Sequence, residues 1–366
     1  MKKYMLINSL SGGGAEKVVS ILASHSPDKF GIITIWPDKN LDLSGSVTHI
    51  SLLGKKRFLP LDLFISIFKL ISFVRSNNIE LVNSHLFWSN YINVISSFFT
   101  RHKTFCTHCV SFLTKYKKKS ISYLIHYSFC RYILTHSDGH TFKCKDLMTS
   151  YERLFRFKNC KVIYNPVGSN KSELEVDDFN ATDGINYILC VGRFHSTKNQ
   201  REVINSLRYL DENVHIIFLG DGYTYNSCVE LSIALNVSDR THFIGHCKNP
   251  FYFYKKFPYI VSASISEGFP NVMLEALSCG CYPISYDCDT GPREISSGFY
   301  NFDSYTSDGL DIYPLGIIFN SSNAKVIAGA IDFALKNNLS SDIEKSLLLL
   351  NALDINSILE QYYNLS

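Results

Sequence analysis

Residues 266–276 place two glutamates, Glu267 and Glu275, on either side of a Gly-Phe-Pro-Asn turn. The residues before this turn are typical of a strand and those after it of a helix. The start of a helix directs backbone N–H groups at a phosphate or at sugar hydroxyls. A carboxylate accepts hydrogen bonds from two adjacent hydroxyls, so each glutamate could hold a sugar or a ribose. The alternative for Glu275 is an exposed helix position, which its largely apolar neighbours disfavour.

Two cations follow the strand that the sequence predicts over residues 185–191. Arg193 and Lys198 lie in the sequence Gly-Arg-Phe-His-Ser-Thr-Lys-Asn of residues 192–199, between that strand and the next helix. A guanidinium offers bidentate donors and an ammonium offers a compact charge, so the two could clamp a diphosphate. The alternative is that both are ordinary solvated cations at the surface.

Three consecutive glycines at positions 12–14 follow the first predicted strand and open the first helix. Glycine lets backbone amides come close to an anion at a helix N-terminus, so Gly13 and Gly14 are candidate ligand contacts. The spacing is not that of a P-loop, and Lys17 occupies the position of the last glycine in the dinucleotide fingerprint. A tight turn between strand and helix is the alternative.

Short β-rich runs alternate with helical stretches, which favours parallel sheets with helices on both faces. Residues 168–184 are polar and acidic and are interpreted as a linker. The sequence therefore predicts an α/β protein of two doubly wound, Rossmann-like lobes, residues 1–167 and 185–350, with a C-terminal helix within 351–366 that packs back on the first lobe. Ligands of such folds bind at the carboxyl ends of the strands, so we expect the site in a cleft between the lobes.

The positive charge is concentrated in the first lobe. Residues 1–165 contain 23 Lys and Arg against 9 Asp and Glu, whereas the remaining residues contain 13 against 24. Basic clusters at 55–57 and 115–119 accompany an apolar segment, residues 58–74, that is too short and too interrupted to span a bilayer. This combination suits peripheral binding to an anionic membrane surface. An amphipathic core helix beside a solvated loop is the alternative.

Export and metal binding are not expected. The apolar run at residues 4–7 is too short for a secretory signal, and the eleven cysteines lack regular spacing, which predicts free thiols. Cys106 and Cys109 have a spacing found in zinc sites, but a structural zinc site needs a second ligand pair, which the sequence does not provide.

Four features, taken in order, resemble glycosyltransferase family 4, whose members are retaining enzymes of the GT-B fold. These are the glycines at 12–14, Arg193 with Lys198, the Gly-Asp-Gly of 220–222, and the pair Glu267 and Glu275. The resemblance is specific over residues 187–294 and holds only in outline over the first lobe. It implies transfer of a hexose or N-acetylhexosamine from a nucleotide sugar, with a UDP-sugar favoured, and retention of the anomeric configuration.

The resemblance also implies an acceptor, a cellular location and a set of cofactors and partners. The acceptor would be a lipid-linked saccharide in the synthesis of a bacterial surface polysaccharide, O-antigen or capsule. The protein would be cytoplasmic and peripheral on the inner face of the cytoplasmic membrane. Beyond the donor itself it would need no cofactor and no metal, and it would bind no nucleic acid.

The resemblance assigns a role to each matching position. Arg193 and Lys198 would bind the donor diphosphate, Glu267 the donor sugar and Glu275 the nucleotide ribose. Gly13 and Gly14 would approach the donor from the first lobe. Further donor contacts would come from Gly222 and from the turn residues Phe269, Pro270, Asn271 and Val272.

The family also has a histidine at the end of a first-lobe strand, near the reacting sugar carbon. His85 and His108 both follow predicted strands, and the Thr-His-Cys context of His108 fits the family better. His108 is therefore predicted to be catalytic, together with Arg193, Lys198 and Glu267. A histidine with a purely structural role is the alternative.

Two other functions share some of these features. Sugar-nucleotide 2-epimerases also use two such lobes, but they lack the pattern seen at Glu267 and Glu275. A non-catalytic protein could bind an anionic polymer through the basic first lobe. The sequence contains no RNA-recognition signature that would support nucleic acid as that polymer.

Overall fold

The computed structural model describes residues 3–116, 120–167, 179–247, 249–299 and 304–365. Within them the chain forms two units, each built around a largely parallel β-sheet. Unit 1 comprises Met1–Pro166 together with Leu353–Ser366, and unit 2 comprises Val167–Ala352.

Unit 1 is a parallel sheet covered by helices, and short apolar runs form its strands. The described strands pair in the order β3-β2-β1-β4-β5-β6-β7, all parallel. The chain order reverses between β1 and β4, which makes this the switch point of the sheet. The strands are β1 (Lys3–Ile7), β2 (Phe30–Thr34), β3 (His49–Ser51), β4 (Leu81–His85), β5 (Lys103–His108), β6 (Gly139–Phe142) and β7 (Cys160–Val162). The helices are α1 (Gly14–His25), α2 (Leu59–Ser76), α3 (Phe87–Thr100), α4 (Phe112–Lys115), α5 (Ile121–Tyr132) and α6 (Lys145–Glu152).

The sequence prediction missed β3 and α4 of unit 1, and it misplaced the elements around β6. The pattern assigns a strand to residues 132–135 and a helix to 140–157, but residues 134–136 form a 3-10 turn and the strand is β6. Strand β6 contains the polar residues His140 and Thr141, so its sequence lacks the apolar run that usually marks a buried strand. Its first residue is Gly139. A larger residue would not fit there, because a Cβ would meet the Phe105 ring at 2.4 Å.

Unit 2 repeats the architecture and adds a hairpin. Among the described residues its strands follow the order β10-β9-β8-β11-β12-β15-β14-β13, and β14 is antiparallel to both β15 and β13. The sequence prediction missed this hairpin. The strands are β8 (Asn186–Val191), β9 (Val214–Leu219), β10 (Thr241–Gly245), β11 (Tyr259–Ser262), β12 (Tyr282–Tyr286), β13 (Tyr305–Ser307), β14 (Leu310–Tyr313) and β15 (Gly316–Phe319). The helices are α7 (Gln200–Ser206), α8 (Tyr225–Ala234), α9 (Phe251–Lys256), α10 (Asn271–Leu277), α11 (Pro292–Ser296), α12 (Ala324–Lys336) and α13 (Ile343–Ala352).

The C-terminal helix α14 (Ile355–Tyr363) belongs to unit 1. Asp354 caps its first turn by accepting hydrogen bonds from two backbone N–H groups. The Tyr363 ring stacks on Phe30 at 5.0 Å, and the Tyr362 hydroxyl accepts a hydrogen bond from buried Lys143 at 2.7 Å. These contacts fix the helix against the strands of unit 1.

Helix α2 lies where the sequence shows a basic cluster followed by an apolar segment. It buries Leu70 and Val74 in the core and exposes the rings of Phe64 and Phe68, which contact each other edge to face. None of the described helices is long and apolar enough to cross a membrane. Of the second basic cluster, residues 117–119 lie outside the described residues.

Candidate functional site

The site predicted in unit 2 lies at one edge of its sheet. Strands β8, β9, β11 and β12 are parallel neighbours, so the loops that follow them emerge at the same edge. The chain order reverses between β8 and β11, and such a switch point is where doubly wound folds bind ligands. The predicted residues of unit 2 lie on these loops and on helix α10.

An ion pair connects the loops on the two sides of the switch point. The Nζ atom of Lys198, after β8, contacts Oε1 of Glu267, after β11. The two side chains are 29% and 13% exposed, so the pair is partly shielded from water yet reachable from it. Each residue holds the other in place, and the ammonium is presented at the carboxyl edge of the sheet.

Arg193 occupies the start of the loop after β8 and is exposed. Its backbone carbonyl accepts a hydrogen bond from the Gln200 side chain at 3.0 Å, which fixes the loop. Among the described residues, no carboxylate forms an ion pair with its guanidinium. The five guanidinium donors are therefore accessible to an anionic ligand.

Gly220 and Gly222 let the loop after β9 press against the loop after β8. A Cβ on Gly220 would lie 2.1 Å from the Gly192 carbonyl oxygen, and one on Gly222 would lie 2.2 Å from the Phe194 carbonyl oxygen. The two loops are also joined by the bond from the Phe194 amide to the Asp221 carbonyl at 2.9 Å. The Gly-Asp-Gly sequence thus supports the backbone on either side of Arg193.

The turn that carries Glu267 is held by the loop after β12. The Thr290 hydroxyl donates to the Glu267 carbonyl at 2.6 Å. A Cβ on Gly291 would approach both the Gly268 carbonyl oxygen and the Pro270 ring at 2.8 Å, so only glycine fits there. Phe269 is buried and its ring stacks on Phe299. The sequence prediction missed this supporting loop, although its Gly-Pro pair at 291–292 was an available signal.

Helix α10 begins at Asn271, and Val272 in its first turn is partly exposed. Glu275 lies on the same helix and is 6% exposed, as its apolar neighbours predict. The Tyr254 hydroxyl donates to its Oε2 atom at 3.4 Å, and burial, followed by the charge of Glu275, raises the pKa of Tyr254. The carboxylate therefore faces a tyrosine that remains a protonated hydrogen-bond donor.

In unit 1 the glycine turn is occupied by a side chain of its own helix. The Glu16 carboxylate accepts a hydrogen bond from the Gly13 amide at 2.7 Å and from the Ser9 hydroxyl at 3.1 Å. This is the capping arrangement of a helix start. The Gly13 amide is thus engaged within unit 1, and the role of Gly13 and Gly14 in donor binding stays a prediction.

His108 ends β5, as predicted, but its ring lies inside unit 1. It is 2% exposed, its Nε2 atom lies 3.0 Å from Nδ1 of His140, and Phe142, Tyr151 and Phe157 surround it. Burial lowers the pKa of His108 well below the usual value, so the ring is neutral near pH 7. These surroundings are those of a structural histidine, and a catalytic role for His108 stays a prediction.

The other candidate, His85, ends β4 and is also fully buried. Neither of its ring nitrogens has a hydrogen-bond partner. Burial, followed by the positive charge of Lys143, lowers its pKa well below the usual value. The next residue, Leu86, has a φ of 74°, which is unusual for a side chain of this kind.

The described residues contain no group of three or more His, Cys, Asp or Glu side chains placed to hold a metal ion. That the protein needs no metal stays a prediction from the sequence.

Parts of the chain are similar to known glycosyltransferases. Residues 172–346 match the family described as Glycosyl transferases group 1. Over 309 residues the chain is 26% identical to N-acetylgalactosamine-N,N'-diacetylbacillosaminyl-diphospho-undecaprenol 4-alpha-N-acetylgalactosaminyltransferase of Campylobacter jejuni, covering 80% of this chain and 83% of that protein.

Solved structures show the same fold. The apo form of the lipopolysaccharide outer core galactosyltransferase WaaB superposes with a TM-score of 0.73 at 16% identity, covering 100% of this chain and 98% of that one. The HepE protein of Anabaena in complex with UDP superposes with a TM-score of 0.75 at 14% identity, covering 99% and 98%. The prediction of a GT-B fold with two Rossmann-like lobes is confirmed, and residues 172–346 match a glycosyl transferases group 1 domain.

Proposed function

We propose that this protein is a group 1 glycosyltransferase that transfers a hexose or N-acetylhexosamine from a UDP-sugar to a lipid-linked saccharide, with retention of configuration, during synthesis of a surface polysaccharide. The observation that carries the proposal is the arrangement at the switch point of unit 2. There, exposed Arg193 and the pair of Lys198 and Glu267 occupy loops that emerge at the carboxyl edge of the sheet.

The first chemical task of such an enzyme is to stabilise the departing diphosphate. Arg193 has no carboxylate partner among the described residues, and Lys198 needs only to turn from Glu267 towards a phosphate. Once the donor is bound, cations held at the position where negative charge develops lower the barrier, because they need no further reorganisation during the reaction. Loss of one such contact typically costs about 3 kcal/mol of transition-state stabilisation.

Each of the two glutamates can bind hydroxyl groups of one ring of the donor, either the transferred sugar or the ribose. Glu267 is partly exposed beside Lys198, so its carboxylate can accept hydrogen bonds from hydroxyls of the donor sugar. Glu275 is more deeply placed on α10 and is assigned to the ribose. The turn from Phe269 to Val272, braced by Thr290 and Gly291, would complete the contacts to the donor.

Retention follows from attack on the face that the diphosphate leaves. Inversion would need a general base on the opposite side of the sugar, and acidic side chains are scarce in residues 1–165, which contain only 9. His108 is the remaining candidate base, and its burial in an aromatic cluster does not favour that role. A leaving UDP is stable as an anion and needs no carboxylic acid of the kind that glycosidases use.

The relatives support the choice of donor and acceptor. The Campylobacter relative is named for transfer to a diphospho-undecaprenol-linked saccharide, the WaaB structure for a lipopolysaccharide outer core, and the HepE structure contains UDP. A lipid-linked acceptor and a UDP-sugar donor are therefore the pair that we propose for this chain.

We further propose that the protein works on the inner face of the cytoplasmic membrane as a peripheral protein. On α2 the exposed rings of Phe64 and Phe68 follow the basic cluster at residues 55–57. Aromatic rings beside cations suit the interfacial layer of an anionic bilayer.

The test is a product screen. UDP- and GDP-sugars are incubated with the full chain and an undecaprenyl-diphosphate-linked saccharide, and products are read by mass. A product heavier by one hexose or N-acetylhexosamine with a UDP-sugar supports the proposal. Turnover of UDP-N-acetylhexosamine alone to its 2-epimer would show the epimerase activity instead. Absence of any donor turnover across the screen would contradict both.

A further inference from the structure

A pocket of about 720 Å³ opens at the amino edge of the unit 1 sheet. Its walls come from the starts of β1, β4 and β5 and from the ends of α2 and α3. Four cationic side chains and one carboxylate, that of Glu80, line it; the cations are Lys3, Arg75, Arg101 and Lys103. The pocket shares no residue with the site predicted for the donor.

Two of the four cations in this pocket are held by backbone carbonyls. Nη2 of Arg75 donates to the Phe99 carbonyl at 2.9 Å, and Nζ of Lys3 donates to the Leu365 carbonyl at 3.1 Å. Among the described residues, none of the four forms an ion pair with a carboxylate. Burial, followed by the positive charge of Lys103, lowers the pKa of Lys3. An anion in the pocket would relieve this crowding of like charges.

The neutral polar groups of the pocket are satisfied by the protein itself. His102 lies 2.6 Å from the Thr100 hydroxyl through Nδ1 and 2.9 Å from the Asn93 amide oxygen through Nε2. Burial lowers the pKa of His102 to about 4, so at neutral pH it adds no charge. The cations, rather than the histidine, are therefore the groups left to bind a ligand.

Two exposed aromatic residues lie next to the pocket wall in the chain. Phe98 and Phe99, at the end of α3, are 52% and 59% exposed and directly precede Thr100 and Arg101 in the pocket wall. Exposed aromatic rings next to a cluster of cations match the boundary between headgroups and acyl chains of a bilayer. A phosphate carried by a lipid would satisfy the cations and the rings together, whereas a free phosphate would satisfy only the cations.

We propose that this pocket binds the phosphate headgroup of an anionic phospholipid and so fixes how unit 1 meets the membrane. The proposal rests on the peripheral membrane association proposed above and gives it a specific binding site. It is separate from catalysis, because the donor loops belong to the carboxyl edge of the unit 2 sheet.

The experiment compares two double variants of the full chain in vesicle sedimentation. Vesicles contain phosphatidylcholine alone or a mixture with phosphatidylglycerol. The pocket variant is Arg101→Gln with Lys103→Gln. The matched control is Arg153→Gln with Arg156→Gln, which removes the same charge from two exposed positions of unit 1 outside the pocket and outside both basic clusters. Because each cation near the surface adds about 1 kcal/mol, we expect the pocket variant to partition about thirtyfold more weakly. The control should lose clearly less.

Three outcomes would overturn the proposal. Equal loss in the two double variants would mean diffuse charge attraction without a headgroup site. Binding of glycerol 3-phosphate in calorimetry, lost in the pocket variant, without any preference for phosphatidylglycerol vesicles would mean a site for a soluble phosphate. No vesicle binding by the unmodified chain would remove both the pocket and the membrane association. Glycosyl transfer to a soluble acceptor analogue, measured in parallel, should be equal in both variants, so a failure of the enzymatic proposal is seen separately.

Discussion

Replacing Gly222 with alanine tests how the loops of the donor site are held. Gly222 has a φ of 153°, and a Cβ there would lie 2.2 Å from the Phe194 carbonyl oxygen and 2.9 Å from its carbon. Both are backbone atoms, which cannot rotate away as the end of a side chain can. The loop after β9 must therefore move by about 1 Å, since an ordinary contact needs at least 3 Å or so.

The cost can be separated into two parts by a matched variant. Gly309 also has a positive φ, 76°, but a Cβ there meets nothing within 4 Å. Gly309→Ala should therefore lose only the backbone preference of glycine, about 1–2 kcal/mol. Gly222→Ala should lose that and also about 1–3 kcal/mol for overpacking, or about 2–5 kcal/mol in total.

The functional effect follows from what the loop supports. The Phe194 amide donates to the Asp221 carbonyl, so displacing residues 220–222 moves the backbone next to Arg193. We expect UDP affinity to fall at least about tenfold in Gly222→Ala, which corresponds to about 1.4 kcal/mol, and to stay unchanged in Gly309→Ala. Urea unfolding gives the stabilities and titration calorimetry gives the affinities. Equal stability and equal UDP affinity in the two variants would refute the reasoning.

Three further changes have expected outcomes. Lys198→Ala should lower turnover about a hundredfold at saturating donor, because it removes a contact to the departing diphosphate. Lys336 is a solvated cation on a helix, so Lys336→Ala should leave turnover unchanged. Equal turnover in the two variants would contradict the role assigned to Lys198. Burial lowers the pKa of His102 to about 4 and that of His140 to about 3, from an ordinary value of 6.5. Both histidines are neutral in the folded protein, so their contribution to the free energy of unfolding is present above pH 6.5 and is lost as the pH falls towards 4, by roughly 1–2 kcal/mol each at pH 5. The urea midpoint should therefore be lower at pH 5 than at pH 7.5, and an unchanged midpoint would contradict this. Tyr362→Phe removes the hydroxyl that accepts from a buried ammonium and should cost about 1.5–3 kcal/mol in urea unfolding, and a loss below about 0.5 kcal/mol would show that the ammonium finds another partner.

Much of the fold could be predicted because the buried strands of unit 2 are mainly apolar. Strand β9, for example, is predicted with the bounds that it has in the structure, Val214–Leu219. Strand β6 could not be predicted in this way, because His140 and Thr141 are buried polar residues whose partners come from distant parts of the chain. Only the assembled sheet supplies those partners.

In the candidate site, too, the local features could be predicted from the sequence and the long-range contacts could not. The positions of Arg193, Lys198 and Glu267 at strand ends follow from local sequence, because turn glycines and helix starts are local signals. The ion pair between Lys198 and Glu267 joins residues 69 positions apart and depends on the pairing of β8 with β11. The surroundings of His108 likewise depend on Tyr151 and Phe157, which no pattern around position 108 reveals.

The central claim is retaining transfer from a UDP-sugar, and one measurement tests it most directly. The product formed from an α-linked UDP-sugar and the lipid-linked acceptor is isolated, and proton NMR gives the coupling constant of its new anomeric proton. We predict the small coupling of an α-glycoside for a sugar of the gluco or galacto series. The large coupling of a β-glycoside would mean inversion, would require a general base such as His108, and would contradict the mechanism proposed here.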